Sequence, residues 1–232
     1  MILKVIIIII IISNLITIFF LYKKKIKNYL YKSKIKKIDI TDIHEIFNLK
    51  EISKNLKGPK KDVIIKSFSI SQSNNIVGMT SDQEAWIIAS LSKISKNIFE
   101  FGTCSGKTTY LMGLNSDKDT KIISITLSKN EISEVLKKKE DNEVSFRNIV
   151  NESIYSKFLF SGEDVEKKIK VIFQNSLEFN HQEYIGKMDL IFIDGGHTYS
   201  VVKNDSEKAF GMLSKNGIIL WHDYVPGKQS AK

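Results

Sequence analysis

"NIFEFGTCSGKTTYLM", residues 97–112, decides the fold. An apolar run ends in two spaced glycines, and Gly-Lys-Thr-Thr then opens a helix, the grammar of a strand, a ligand-binding turn and a helix N-terminus. A phosphate-binding loop needs four residues between its glycines, because successive backbone N–H groups must wrap the phosphate. Here Gly102 and Gly106 enclose only Thr103, Cys104 and Ser105. "LIFID" (190–194) is a second support for that reading, as an apolar strand ending in a magnesium-binding acid. A dinucleotide fingerprint, G-x-G-x-x-G, fails because residue 104 is cysteine. The stretch fits E-x-G-x-x-x-G: Glu100 ends the strand, and the two glycines let a ligand approach the backbone with no Cβ in the way.

Outward from this turn the chain alternates. In "TSDQEAWIIASLSKIS", Ser81 and Glu84 have the spacing of a capping box ahead of a helix. Strands are expected at 97–101, 121–127, 168–173, 188–194 and 216–223, with helices from Lys107, from Ser128 (capping box with Glu131) and over 199–214. Residues 140–168 are polar and mixed. "VIIKSFSI" (63–70) reads as a strand or an extended cover, and "DIHEIFNLKEISKNL" (42–56) as a short amphipathic helix stopped by Gly58-Pro59. Continuous apolar strands separated by helices predict an α/β fold with a Rossmann-like parallel sheet covered on both faces. Ligands bind such sheets at the carboxyl ends of the strands. Asp194, and the pair His222-Asp223, therefore converge on one mouth.

Two blocks, "FEFGTCSGKTT" and "DLIFIDGGHTYSVVKNDSEKAFGMLSKNGIILWHDY", with the lead-in "GMTSDQEAW", resemble the class I S-adenosylmethionine-dependent methyltransferases. The group in question is the methyltransferase domain 24 type, which holds many small-molecule and sugar O-methyltransferases. The likeness covers residues 78–225. It implies S-adenosylmethionine as cofactor, with Gly102, Thr103, Cys104 and Gly106 at its amino-acid part and Glu100 accepting from its ammonium, directly or through water. Where that pattern carries acids for the ribose and the adenine, this chain offers Thr126 and then Asn175-Ser176. Similar enzymes of catechol type hold magnesium at the strand ends, which would fall to Asp194 and Asp223; His222 suits a softer metal better. His197, in "DGGHTY", is the candidate general base beside Asp194, since histidine exchanges a proton at neutral pH. Its alternative is to cap the helix beginning near Tyr199.

The class I pattern continues past the fifth strand with two more strands and a helix, whereas "YVPGKQSAK" follows Asp223 here. Set against the resemblance, the fold is expected to lack the last two strands, and either the chain is a fragment or shortened product, or another subunit, such as a second copy, covers the fifth-strand edge. A tethered, non-catalytic ligand-binding protein is the alternative function.

Residues 5–22 form an uncharged apolar run, about 27 Å long as a helix, which predicts a transmembrane anchor over 1–22. Eight lysines in residues 23–37 form a basic linker that favours the cytoplasmic side and anionic lipid. Residues 38–79 are the lead-in and 80–232 the methyltransferase-like domain. The formal charge of +9 belongs to the N-terminal segment: nine of the 35 basic residues lie in residues 1–37, leaving 26 against 26 acidic ones. A net-neutral domain offers no footprint for nucleic acid. The resemblance implies a small-molecule or sugar acceptor as partner. Cys104, the single cysteine, excludes an intrachain disulfide.

Overall fold

The computed structural model describes residues 19, 22–23, 50–54, 56–58, 64–68, 80–128, 131–132, 141 and 143–223. Two compact units divide the chain, residues 1–60 and 61–232. In the first, β1 (Lys50–Ser53) and β2 (Leu56–Gly58) form an antiparallel hairpin with Glu51 opposite Lys57. This corrects the helix expected over 42–56 in its second half. A few residues of helical pattern cannot sustain a helix alone, and the polar Ser53-Lys54 favours chain reversal. The first half of that stretch, and the apolar run apart from Phe19 and Tyr22, lie outside the described residues. Among the described residues no helix is long and apolar enough to cross a membrane.

The second unit is built on a five-stranded parallel sheet. Its elements in chain order are α1 (Asp82–Lys93), β3 (Asn97–Phe101), α2 (Lys107–Asn115), β4 (Lys121–Thr126), α3 (Glu143–Glu152), β5 (Ile169–Phe173), β6 (Met188–Ile193), α4 (Tyr199–Met212) and β7 (Leu213–Trp221). The strand order is β5-β4-β3-β6-β7, so the chain runs outward from β3 on one side and returns to β6 on the other. The switch point lies between β3 and β6, where crevices open in doubly wound sheets.

Alternation along the strands assigns each side chain to a face. Phe99 and Phe101 pack with Ile191, Ile193, Phe179, Ala209 and Met212 on the α4 side. Ile98 packs with Leu190, Ile88, Leu91, Leu111 and Met112 under α1 and α2. Glu100 falls on this second face by the same period. Ile65 and Phe68 extend that core, and Lys66 exchanges backbone bonds with the Asn115 side chain at 2.7 and 2.8 Å. Residues 64–68 are thus the extended cover. α1 opens on the expected capping box: Ser81 N donates to Glu84 Oε2 at 2.8 Å, and Glu84 N to Ser81 Oγ at 3.3 Å. Ser128 and Glu131 form the second box, but most of the helix expected after it lies outside the described residues.

β7 begins at Leu213, earlier than the apolar run at 216 predicts. Leu213 pairs Met188, and a bulge then carries the chain to Ile218 opposite Leu190. Gly217 makes this possible, because a Cβ there would lie 2.6 Å from the Met188 carbonyl oxygen. Asp189 anchors the corner: Oδ2 accepts from Lys96 N and Asn97 N at 3.0 and 2.9 Å, and Oδ1 from Ser214 Oγ at 3.1 Å. β7 pairs only with β6 among the described residues. Asp189→Ala strands two backbone donors at the entry of β3, and is expected to lower unfolding free energy by about 1–3 kcal/mol in urea denaturation. A change below about 0.3 kcal/mol would show that water replaces the carboxylate.

Candidate functional site

The turn after β3 is left-handed three times over, with φ +99° at Gly102, +43° at Cys104 and +80° at Gly106. Gly102 N still donates to Ile125 O at 2.9 Å, while Asp194 N donates to Phe101 O at 2.9 Å. The ends of β3, β4 and β6 are therefore locked together. A Cβ on Gly102 would lie 2.1 Å from the Asp194 carbonyl oxygen. Only glycine allows this approach.

Glu100 stands behind the turn, fully buried. Thr108 Oγ1 donates to its Oε1; Thr109 Oγ1, and Ser124 Oγ at 2.6 Å, donate to Oε2. Thr103 Oγ1 shares a 2.7 Å hydrogen bond with Ser124 Oγ. Burial pushes the Glu100 carboxyl up to about 7 against the pull of these hydroxyls. Both Glu100 oxygens accept hydroxyl donors on the α2 side of the sheet, whereas the sequence expectation is an acceptor for a ligand ammonium, directly or through water. Thr103 is likewise turned inward and 1% exposed. Gly106 backs onto Phe158 and Phe160, where a Cβ would come within 2.9 Å of both.

In front of the turn lies a cleft of about 600 Å³, part of it open to solvent. Of the residues singled out from sequence, Gly102, Cys104, Thr126, Asn175, Ser176 and Asp194 line it; Glu100, Thr103 and Gly106 do not. Sequence reasoning missed Glu152 and Ser153 at the end of α3, and Asp205 on α4. Nothing in the polar stretch before residue 168 marks Glu152. Asp205 had a signal, because it shares the buried stripe of α4 with Ala209 and Met212, where an acid is out of place. Burial and the nearby carboxylates of Asp194 and Asp223 push Glu152 up to about 7, and burial pushes the Cys104 thiol up to about 11.

Asp194, His197, His222 and Asp223 come together as expected. His222 Nδ1 lies 2.9 Å from Asp194 Oδ1 and 3.4 Å from Asp223 Oδ2, and its Nε2 lies 3.5 Å from Glu84 Oε1. The Nδ1 approach falls outside hydrogen-bond geometry, so the contact is an ion pair. Asp194, chiefly, raises His222 to about 9, so this imidazole is protonated at neutral pH. His197 Nδ1 faces Asp223 Oδ2 at 3.3 Å, with Nε2 4.0 Å from Asp194 Oδ1. His197 does not cap α4. Thr198 does, its hydroxyl accepting from Val201 N at 3.4 Å.

These residues do not fit a divalent metal as placed. His222 Nδ1 is taken up in pairing with Asp194 and Asp223, the acids that would be its co-ligands. Among the described residues no group of three His, Cys, Asp or Glu side chains is arranged to hold a metal ion. The expected set Asp194, His222 and Asp223 is a charge network. The phosphate-loop reading loses its lysine as well: Lys107 Nζ donates to Thr80 O at 3.2 Å.

Carboxyls held above their ordinary values bind more protons folded than unfolded between the two values, so folded-state stability falls as pH rises through that window. For Glu100 the window runs from 4.5 to about 7, and Glu152 and Asp205 act in the same direction. Glu100→Gln is expected to flatten the decline of unfolding free energy between about pH 5 and 7, measured by urea denaturation at each pH. An unchanged slope would remove Glu100 from that role.

A family described as "Methyltransferase domain" matches residues 99–224. No protein of curated function matches the chain. Similar solved structures include the O-methyltransferase TomG from Streptomyces achromogenes, involved in tomaymycin synthesis and in complex with SAM. It is 12% identical over 62% of this chain and 56% of that one, with a TM-score of 0.43. The SAH-bound methyltransferase PaMTH1 from Podospora anserina is 21% identical over 65% and 61%, with a TM-score of 0.41. A methyltransferase from Geobacter sulfurreducens is 10% identical over 86% and 78%, with a TM-score of 0.42. The chain spans less than two thirds of the first two.

Proposed function

The chain belongs to the methyltransferase-domain family, and from that premise we propose that it transfers a methyl group from S-adenosylmethionine to a hydroxyl of a small molecule or sugar. One observation carries the cofactor: the residues lining the cleft beside the Gly102 turn include three acids, Glu152, Asp194 and Asp205, and no lysine or arginine. A cationic sulfonium with an ammonium tail is attracted there, and a triphosphate is repelled. The close approach at Gly102 leaves the cradle free of side chains.

Bound in the cleft, S-adenosylmethionine would supply an electrophilic methyl carbon on sulfur. The chain's contribution is alignment and a proton acceptor. Asp223 faces His197 Nδ1 at 3.3 Å, which favours the tautomer with Nδ1 protonated and leaves the Nε2 lone pair to take the acceptor's hydroxyl proton. His222 cannot serve, because its pairing with Asp194 keeps it protonated. The apolar run 5–22 and the lysines of 23–37 support a further part of the proposal, that the enzyme works tethered to the cytoplasmic face of a membrane.

Titration of the full chain with S-adenosylmethionine and with ATP is expected to give micromolar binding of the first alone. ATP preference would overturn the reading. Gly102→Ala should abolish cofactor binding, because its Cβ would displace the end of β6. His197→Ala should lower kcat by about 10²–10⁴ at unchanged cofactor affinity, measured on hydroxyl acceptors found by methyl-transfer profiling. Unchanged turnover would remove it as the base.

A further inference from the structure

The cleft wall after β5 lacks the acid that strand-end positions 175 and 176 would carry, and α4 supplies one from the side. Three polar residues of α4, Asn204, Asp205 and Lys208, converge on Ser176 and Leu177. Asn204 Nδ2 donates to Ser176 O at 3.0 Å, and Lys208 Nζ donates to Ser176 O and, at 3.2 Å, to Leu177 O. Asn204 Nδ2 also donates to Asp205 Oδ1 at 2.8 Å, and the Ser176 side chain hydrogen-bonds the Asp205 carboxyl. Asn175 closes the turn on itself, its Oδ1 accepting from Leu177 N at 3.0 Å. The wall is therefore fixed from α4, and its own side chains at 175 and 176 are committed to holding it.

Asp205 is only 1% exposed yet lines the cleft, and its Oδ2 lies beside Gly195, where a Cβ would sit 3.4 Å away. A carboxylate offers about four acceptor positions, and Asn204 and Ser176 use two. Water scarcely reaches the others, so burial is best compensated when a ligand donor fills the cleft. The acids Glu152 and Asp194 lie near Cys104 and, with Asp223 close by, concentrate negative charge there. They draw the cationic amino-acid end of the cofactor and leave the nucleoside half over Thr126, Ser176 and Asp205.

We propose that Asp205 is the specificity-determining acid of the cleft, accepting a hydrogen bond from an N–H or O–H donor of the nucleoside half, with Asn204 and Lys208 positioning the wall around it. This rests on the cofactor reading above. Burial, which pushes the Asp205 carboxyl up to about 6, accords with an acid that waits for such a donor.

The test is calorimetric binding to the full chain of S-adenosylhomocysteine, S-inosylhomocysteine, which lacks the exocyclic amine, and S-(2′-deoxyadenosyl)homocysteine, which lacks a ribose hydroxyl. The wild type is expected to bind the parent about tenfold or more tightly than one of the two analogues, and that analogue identifies the donor. Asp205→Asn should weaken the parent to the level of that analogue and leave the analogue's own affinity unchanged, closing a thermodynamic cycle. Ser176→Ala, which removes the shared hydrogen bond and keeps the carboxylate, should preserve the discrimination. Wild-type protein that binds all three equally overturns the assignment without recourse to a variant. A uniform loss in Asp205→Asn makes Asp205 a wall residue only and also overturns it. Wild-type protein that binds none of the three overturns the cofactor reading itself.

Discussion

The second unit is organised around one buried carboxyl. Glu100 sits where strand alternation places it, under α2, and receives hydroxyl donors from Thr108 and Thr109 on that helix and from Ser124 on the neighbouring strand. Through Ser124 it also reaches Thr103 inside the turn. One side chain thus ties β3, β4, the turn and the first turn of α2. The turn passes through three left-handed residues and could not hold that path on its own preferences, least of all at Cys104. A buried carboxyl is costly unless its hydrogen bonds are made. Every competing path of the turn that turns these hydroxyls away leaves Glu100 unsatisfied, which is how a local acid specifies a unique loop.

The sequence made the sheet legible because its strands are short apolar runs bounded by glycine, aspartate and capping residues. β3 begins and ends where the pattern says. The start of β7 is not legible, because Ser214, Lys215 and Asn216 look like a turn, whereas a bulge and the contact of Ser214 with Asp189 keep them in the strand. The turn's ligand-facing side was half legible. Gly102, Cys104 and Asp194 stand in the cleft, but Glu100 and Thr103 face the opposite way. That distinction needs the parity of the strand together with the helix that covers it. Glu152 was invisible, since α3 comes to the cleft through packing of Ile149 on Gly196 rather than through any motif.

The histidines show how geometry separates two residues of one type. His222 and His197 lie edge to face with centroids 6.4 Å apart. The first is 13% exposed and meets Asp194, Asp223 and Glu84, all negative. The second meets Asp223 alone within 3.5 Å among its acidic neighbours and is 31% exposed. Concentrated negative charge makes His222 a fixed cation that neutralises the strand ends, and a fixed cation accepts no proton. His197, the more open of the two, meets fewer acids at close range, and it is the one left as the candidate base.

Charge also separates the sulfonium reading from the phosphate reading more firmly than the glycine spacing does. A phosphate loop works because a lysine and several N–H groups face the anion together. Here the lysine of Gly-Lys-Thr-Thr is drawn back to Thr80, and the two threonines point down to Glu100. The groups that would meet a phosphate have been redirected into the fold, while Glu152 and Asp194 line the cleft beside the turn. The same residues that resemble a nucleotide triphosphate loop in sequence thus build a cleft of the opposite sign.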